Sequence, residues 1–143
     1  MSDDPYELER FVAAQDAGSY DAALAELRAG RKTGHWIWFV FPQITGLGTS
    51  QMSRRYAISS LDEARAYLAH PVLGPRLEAC ARALLELDRK GVTEILGPVD
   101  AMKLRSSMTL FARAAPRNPL FRQVLDRYFE GRTDHATEAR ITA

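Results

Sequence analysis

The apolar residues of this chain recur mostly three and four positions apart, which is the spacing of an amphipathic helix. A long segment at 75–88 and another at 120–129 both keep this spacing, and the second carries six apolar residues on one wide face. Apart from the aromatic stretch at 36–41, no segment offers a strand candidate. The pattern therefore predicts an all-α fold.

Capping residues and helix breakers divide this pattern into separate helices. Asp4 followed by Pro5 opens the first helix, which runs to about Ala17. Ser60 with Glu63 three residues later forms a capping box. Further helices are predicted at 20–29, 61–69, 75–88, 92–96, 99–114 and 119–130, with a short one after Thr133 or Asp134. We expect a single multihelical globular domain over 1–143, with about seven to nine helices around a buried aromatic segment.

The segment 35–43, His-Trp-Ile-Trp-Phe-Val-Phe-Pro-Gln, holds both tryptophans and two of the six phenylalanines of the chain. These residue types favour strands, but the run does not alternate, so its periodicity fits a buried strand and a short buried helix equally well. A lone strand would leave its backbone amides unpaired in the core. Since no second strand candidate exists, we predict a helix or helical turn that Pro42 ends.

Composition and charge narrow the classes of partner. The 19 Lys and Arg residues nearly balance the 18 Asp and Glu residues, so we predict no nucleic-acid interface. The single Cys80 and three scattered histidines offer no disulfide and no metal pattern, so neither a metal nor a cofactor is expected. The acidic N-terminal residues lack a signal peptide, and the apolar run 36–41 is too short to span a membrane. A cytoplasmic protein without a membrane partner is expected, and its oligomeric state stays open.

A loop rich in glycine and hydroxyl residues follows the aromatic segment. Its sequence, Gly46-x-Gly48-Thr49-Ser50-x-x-Ser53-Arg54-Arg55, could surround a phosphate, since glycines let backbone amides approach an anion and the helix start adds free N–H groups. The loop lacks the Gly-Lys-Ser/Thr ending of a P-loop. An ordinary turn that caps a helix explains the same residues.

Polar residues interrupt the predicted helix 99–114. Lys103, Ser106 and Ser107 lie opposite its apolar stripe, and two consecutive serines inside a helix reduce helix propensity. They fit either a lysine directed at an anion with hydroxyls beside it or a close helix–helix contact. His35 and Gln43 flank the aromatic run and could orient a polar ligand group, while Trp36 and Trp38 either stack on a ring or fill the core.

Four segments together form a longer motif. They are the run 35–43, Gly46-Leu47-Gly48 with Ser53 and Tyr56, Tyr67-Leu68-x-His70-Pro71-Val72-Leu73-Gly74-x-Arg76-Leu77, and Lys103-Leu104-Arg105-Ser106-Ser107-Met108-Thr109-Leu110-Phe111. In these segments the chain resembles an uncharacterised bacterial domain-of-unknown-function family, whose members often carry the label calpastatin. The resemblance implies a single, mostly α-helical domain of the type seen in a mycobacterial conserved hypothetical protein, and it implies no reaction. A composition that is 46% hydrophobic is that of a packed globule, whereas calpastatin is a disordered chain.

Two functional hypotheses follow. The first is a site for a phosphorylated nucleotide-like or ADP-ribose-like metabolite, with hydrolysis of a glycosidic bond as the reaction if the protein is an enzyme. Its candidate residues are His35, Trp36, Trp38, Gln43, Gly46, Gly48, Ser53, Arg54, Tyr56, Lys103, Ser106 and Ser107, with Lys103 and Arg54 for phosphate. The second is a non-enzymatic protein-interaction module. Convergence of Gln43, Lys103 and Ser106 in one concave pocket would favour the first hypothesis.

Overall fold

The computed structural model describes residues 4–88 and 90–142, and these residues form helices joined by short loops. The helices are α1 (Glu9–Ala14), α2 (Tyr20–Ala29), α3 (Ile37–Val40), α4 (Gln51–Arg55), α5 (Leu61–Ala69), α6 (Leu73–Glu86), α7 (Val92–Leu96), α8 (Pro98–Ala114), α9 (Leu120–Phe129) and α10 (His135–Thr142). Over these residues there is no strand, and one isolated parallel bridge joins Ile44 to Ile58. The predicted all-α fold is confirmed. None of the helices so described has the length and apolar character to cross a membrane.

Helix α8 lies at the centre of the fold. It packs against α5, α7, α9 and α10 and also contacts α3. From Leu104 to Phe111 nearly every side chain is buried, including those of Ser106, Ser107 and Thr109. The small hydroxyl side chains let neighbouring helices approach α8 from several sides, which explains why a central helix carries so weak an amphipathic pattern.

Helix α6 carries a second layer of packing, because α2, α5 and α9 all lie against it. Its first turn approaches α5 so closely that a Cβ atom on Gly74 would overlap the carbonyl oxygen of Leu68. Cys80 and Leu84 on α6 are fully buried in the same hydrophobic cluster as the aromatic segment. The residue at position 74 must therefore be glycine for α5 and α6 to meet at this distance.

The first helix starts later than the sequence predicts. The carboxylate of Asp4 accepts hydrogen bonds from the N–H groups of Leu8 and Glu9 at 2.7 and 2.9 Å. Asp4 therefore caps a helix that begins at Glu9, four residues after the predicted start at Pro5. Glu7 takes a left-handed conformation with φ of 53°, which turns the chain just before α1. The capping residue was correctly identified, but a turn separates it from the helix.

The chain kinks between α1 and α2, where Ala17 and Gly18 leave helical backbone geometry, so the helix stop predicted at Gly18 is confirmed. Gly18 has φ of 95° and produces the kink. The buried side chain of Gln15 donates hydrogen bonds to the carbonyl oxygen of Phe39 at 2.7 Å and to the hydroxyl of Tyr67 at 3.2 Å. Burial raises the pKa of Tyr67 far above its ordinary value, so its hydroxyl stays neutral in this network.

The aromatic segment forms one helical turn, α3, as predicted. The N–H groups of Val40 and Phe41 donate to the carbonyl oxygens of Trp36 and Ile37 at 3.1 and 3.0 Å. Trp36, Ile37 and Phe41 are at most 2% exposed, whereas Trp38 is only partly buried. The turn therefore satisfies its own backbone and buries one side in the core, as the missing partner strand requires.

Candidate functional site

Part of the predicted site converges on one cavity, which we call the α8 cavity. It has a volume of about 280 Å³ and lies between the loop after α3, the first half of α8 and the start of α10. Four of the predicted site residues line it, namely Gln43, Gly48, Lys103 and Ser106. The remaining lining residues are Leu47, Val99, Met102, Asp134 and Ala136.

Lys103 supplies positive charge to the α8 cavity. Its Nζ lies 5.0 Å from the centroid of the Trp38 ring and 3.8 Å from Oδ1 of Asp100. The other oxygen of Asp100 lies 2.8 Å from Nζ of Lys32. Because two lysines share one carboxylate, one positive charge of this group is not balanced within it. The side chain of Lys103 is 22% exposed, against 8% for Lys32, so the accessible charge is on the cavity side.

The Lys32 side of this group is closed. Nζ of Lys32 lies 5.0 Å from the centroid of the Trp36 ring and also donates to the carbonyl oxygen of Gly34. Nε1 of Trp36 donates to Oε1 of Glu26 at 3.0 Å, and the N–H groups of Thr33 and Gly34 donate to the same oxygen. Burial alone would raise the pKa of Glu26. These three hydrogen bonds outweigh burial, and the pKa lies below its ordinary value.

Asp134 brings a negative charge to the cavity, and it was not among the predicted site residues. Its Oδ2 accepts hydrogen bonds from the hydroxyl of Ser106 at 3.1 Å and from the N–H group of Thr137 at 3.0 Å, and the Thr137 hydroxyl donates to the same oxygen. Asp134 therefore caps α10 and ties it to α8. Among the residues described, none donates a hydrogen bond to its Oδ1.

A short backbone bridge between Ile44 and Ile58 anchors the loop that carries Gln43. The N–H group of Ile58 donates to the Gln43 carbonyl at 2.8 Å, and the N–H group of Thr45 donates to the Ile58 carbonyl at 2.9 Å. Ile44, between them, is 4% exposed and anchored in the core. The side-chain amide of Gln43 makes no hydrogen bond to any residue in the described part of the chain, so the anchored loop presents a polar group with unused donors and acceptors.

The glycine-rich loop forms a helix-capping turn. The N–H group of Ser53 donates to Oγ of Ser50 at 3.1 Å, which caps the five-residue α4. A Cβ atom on Gly48 would overlap the Ser53 side chain, and one on Gly46 would overlap the guanidinium of Arg140 from α10. Both glycines thus permit close packing of the loop. Arg54 is exposed on α4 and is not a lining residue of the α8 cavity.

The other predicted site residues lie outside the lining of the α8 cavity. Trp36 and Tyr56 are core residues, and the Tyr56 ring packs against the rings of Phe11 and Phe39. Ser107 is fully buried, and its hydroxyl has no hydrogen-bond partner among the described residues. His35 is exposed beside α3. Trp38 contributes indirectly, since its ring positions the Lys103 ammonium.

A second concavity, of about 540 Å³, lies between α8 and α9. Arg113 and Arg122 are its basic residues, and Asp126 contributes a carboxylate. The guanidinium of Arg113 forms a bidentate pair with Glu138 at 2.7 and 2.5 Å, which raises the pKa of Arg113 and lowers that of Glu138. The pair satisfies one of the two arginines internally, so this concavity is a weaker anion site than its size suggests.

Neither metal nor thiol chemistry has a clear place in the part of the chain that the structure covers. Among its residues, no group of three or more His, Cys, Asp or Glu side chains could hold a metal ion. Cys80 is buried in α6, and burial raises the pKa of its thiol to about 12, which makes it unreactive in the folded protein. The chemistry that this structure offers is therefore charge and hydrogen bonding in the α8 cavity.

Comparison with known proteins confirms the resemblance drawn from the four sequence segments. A family model described as protein of unknown function (DUF1810) matches residues 5–141. The chain is 51% identical to a protein of known crystal structure, the conserved hypothetical protein Rv1873 from Mycobacterium tuberculosis. The two structures superpose with a TM-score of 0.95 over 98% of this chain and 99% of that one. A search of curated proteins gave no match.

Proposed function

The chain belongs to the DUF1810 family, whose description names no activity, and we propose its function from the geometry of the α8 cavity. The protein binds a small phosphorylated metabolite with a ring, of the nucleotide type. The observation that carries this proposal is that Gln43, from the loop after α3, lines one concave surface with Lys103 and Ser106 of α8. Such convergence is typical of a ligand site and is not needed for core packing.

The cavity divides into a charged and an apolar part. Lys103 offers an ammonium with uncompensated positive charge, which suits a phosphate group. The side chains of Leu47, Val99 and Met102 form an apolar surface for the face of a ring, and Met102 adapts to rings of different shape. The ring therefore stacks on aliphatic side chains in this proposal, and the two tryptophans hold the lysines in place.

The size of the cavity limits what it encloses. Its volume of about 280 Å³ is near the lower end of the range of about 300–1,000 Å³ found for ligand pockets. A nucleoside monophosphate, or one half of an ADP-ribose-like molecule, matches this size better than a complete dinucleotide. We therefore propose recognition of a mononucleotide unit, with any further part of the ligand outside the cavity.

Binding is better supported than hydrolysis of a glycosidic bond. Most glycosidases use two carboxyl groups on either side of the bond. Asp134 is the carboxylate among the described lining residues, and its Oδ2 is engaged in capping α10. Asp100 is held by Lys32 and Lys103. Neither group is placed to donate a proton, so the proposal does not include this reaction.

The decisive experiment is titration of the purified protein with adenosine 5′-monophosphate, ADP-ribose and NAD, followed by calorimetry and thermal shift. We expect a dissociation constant in the micromolar to millimolar range and a rise in melting temperature as the ligand exceeds it. K103Q should weaken binding about 10-fold, since it removes the charged partner of phosphate. R82Q removes an exposed charge elsewhere and should bind like the wild type.

Two outcomes bear on the alternative hypotheses. If R54Q weakens binding as much as K103Q, the phosphate lies at the α4 loop and the α8 cavity is not the site. If no ligand binds at millimolar concentration, the protein-interaction hypothesis gains, because Val99 and Met102 are 65% and 69% exposed and lie on one face of α8. That second candidate function predicts that the purified protein self-associates in sedimentation velocity and that M102E abolishes this association.

A further inference from the structure

We infer that the α8 cavity selects nucleotides whose base carries an exocyclic amino group. The Asp134 carboxylate recognises this group by accepting a hydrogen bond from it. This inference rests on the proposed function and specifies its ligand class. The carboxylate of Asp134 lines the same cavity as Lys103, and the two residues carry opposite charges. A ligand that satisfies both therefore needs an anionic group at one end and an N–H donor at the other.

The two charges are separated along α8. Nζ of Lys103 is drawn towards Asp100, three residues back along the helix, whereas Asp134 contacts Ser106, three residues on. Lys103 and Asp134 therefore contact residues six positions apart on α8 and lie on different elements, α8 and the start of α10. A nucleoside monophosphate carries its phosphate and its base at opposite ends of the sugar, so one ligand can meet two separate groups of opposite charge.

Asp134 determines whether the cavity favours a hydrogen-bond donor or an acceptor on the base. Its Oδ2 already accepts hydrogen bonds from Ser106 and Thr137, and its Oδ1 receives none from the residues that the structure describes. An ionised carboxylate accepts hydrogen bonds and donates none. An amino group on a base can meet Oδ1, whereas a carbonyl oxygen at the same place would be repelled.

The other polar groups of the cavity do not make this distinction independently of Asp134. The amide of Gln43 offers both donors and an acceptor, so it fits either kind of base edge by rotation. The hydroxyl of Ser106 directs its proton to Asp134 and to the carbonyl oxygen of Met102, each at 3.1 Å. The Ser106 oxygen can then only accept from a ligand, so Asp134 sets the preference for a donor both directly and by holding the Ser106 proton.

The capping role of Asp134 provides a clean variant for the test. Asparagine caps helices as well as aspartate does, and its side-chain oxygen can accept from Ser106 and Thr137 as before. D134N therefore keeps the docking of α10 but loses the negative charge and gains a donor. D134S is a second capping variant without charge, and D126N removes an exposed carboxylate of α9 as the matched control.

The experiment compares two pairs of nucleotides that differ by a single amino group. Guanosine and inosine 5′-monophosphate differ at the 2-position, and adenosine and purine riboside 5′-monophosphate differ at the 6-position. We expect the wild type and D126N to bind the amino-bearing member of at least one pair about 10-fold more tightly, as for a hydrogen bond to a charged group. D134N and D134S should reduce that ratio to about 2-fold or less.

The outcomes separate this inference from the proposed function. If the nucleotides bind, but the two members of each pair bind with equal affinity, the site exists and does not recognise an amino group. That result overturns the inference and leaves the proposed function standing. If D134N and D134S fold and keep the full ratio, another residue reads the base and the inference is overturned as well. If none of the four nucleotides binds the wild type, both the proposed function and the inference fail.

Discussion

Two tryptophans separated by one residue differ in burial and in the hydrogen bonding of their indole N–H groups. Trp36 is 2% exposed, its indole N–H donates to Glu26, and the Lys32 ammonium lies over its ring. Trp38 also has a lysine over its ring, but it is partly buried, and its indole N–H finds no partner in the described residues. The same residue type with the same kind of neighbour thus forms a closed anchor on one side and the support of a cavity on the other.

The difference shows which part of the Lys32, Asp100 and Lys103 group can act on a ligand. On the Trp36 side, Lys32 has two short contacts, to Asp100 and to the Gly34 carbonyl. On the Trp38 side, Lys103 has a longer contact of 3.8 Å to Asp100. Removing the partner of a nearly buried charge destabilises the fold, whereas a partly solvated charge with a long contact can accept a new partner. Four predictions test this asymmetry.

The largest expected effect separates the two tryptophans themselves. W36A should reduce the free energy of unfolding by about 3–5 kcal/mol, because it removes a fully buried ring and leaves Glu26 without its indole donor. W38A should cost about half as much, since less of its surface is buried. Urea denaturation measures both. Equal losses would mean that Trp38 is as much a core residue as Trp36.

A smaller effect is expected at the carboxylate that the two lysines share. D100N should lower the free energy of unfolding by about 1–3 kcal/mol, since it leaves the nearly buried Lys32 ammonium without its charged partner. K32M should cost more than K103M, because the Lys32 contact is shorter and more buried. The same denaturation series measures all three. A K103M variant less stable than K32M would contradict the asymmetry.

The closed side should also respond to acid. The pKa of Glu26 is held below its ordinary value of 4.5, so its contribution to stability is complete above that pH and is lost as the pH falls through the pKa of the folded state. In a W38F background, Trp36 fluorescence should therefore change as the pH is lowered below 4.5. E26Q should remove that part of the change. An identical acid transition in E26Q would assign it to other carboxylates, such as Asp4 or Glu138, whose pKa values are also lowered.

The smallest effect on stability is expected on the open side. K103Q should change the free energy of unfolding by less than about 0.5 kcal/mol, because its ion pair is long and partly solvated. Thermal melts of K103Q beside those of R82Q give the comparison. A loss several times larger would show that Lys103 is a structural residue, and the ligand assigned to it would then lack its anchor.

Much of the fold follows from local sequence signals. Periodicity and capping residues place most helices within a few residues of their observed bounds, because these signals act within one turn. Gly18 is one such signal, since its positive φ marks the kink between α1 and α2 where a helix stop is predicted. Ser60 also caps α5 as predicted, by accepting a hydrogen bond from the N–H group of Glu63. One detail depends on tertiary contacts, because the Glu63 carboxylate accepts hydrogen bonds from Ser59 and Arg10.

The site is only partly readable from the sequence. Unusual polar residues revealed Lys103 and Ser106, because two hydroxyls inside a helix conflict with helix propensity. Val99 and Met102 gave no signal, since single apolar residues near a helix start look like core. Asp134 was recognised as a helix cap, and only the packing of α10 against α8 brings it to the cavity. Long-range contacts of this kind leave no local pattern.

Asp134 has a consequence for how this chain can vary. Its Oδ2 caps α10 and the residue lines the α8 cavity, so in our proposal Asp134 serves folding and recognition at once. A mutational scan scored by stability should tolerate Asn, Ser and Thr at this position, because each can cap a helix. The same scan scored by ligand retention should accept aspartate alone. The width of the gap between the two tolerance profiles would measure how far recognition, beyond folding, constrains position 134.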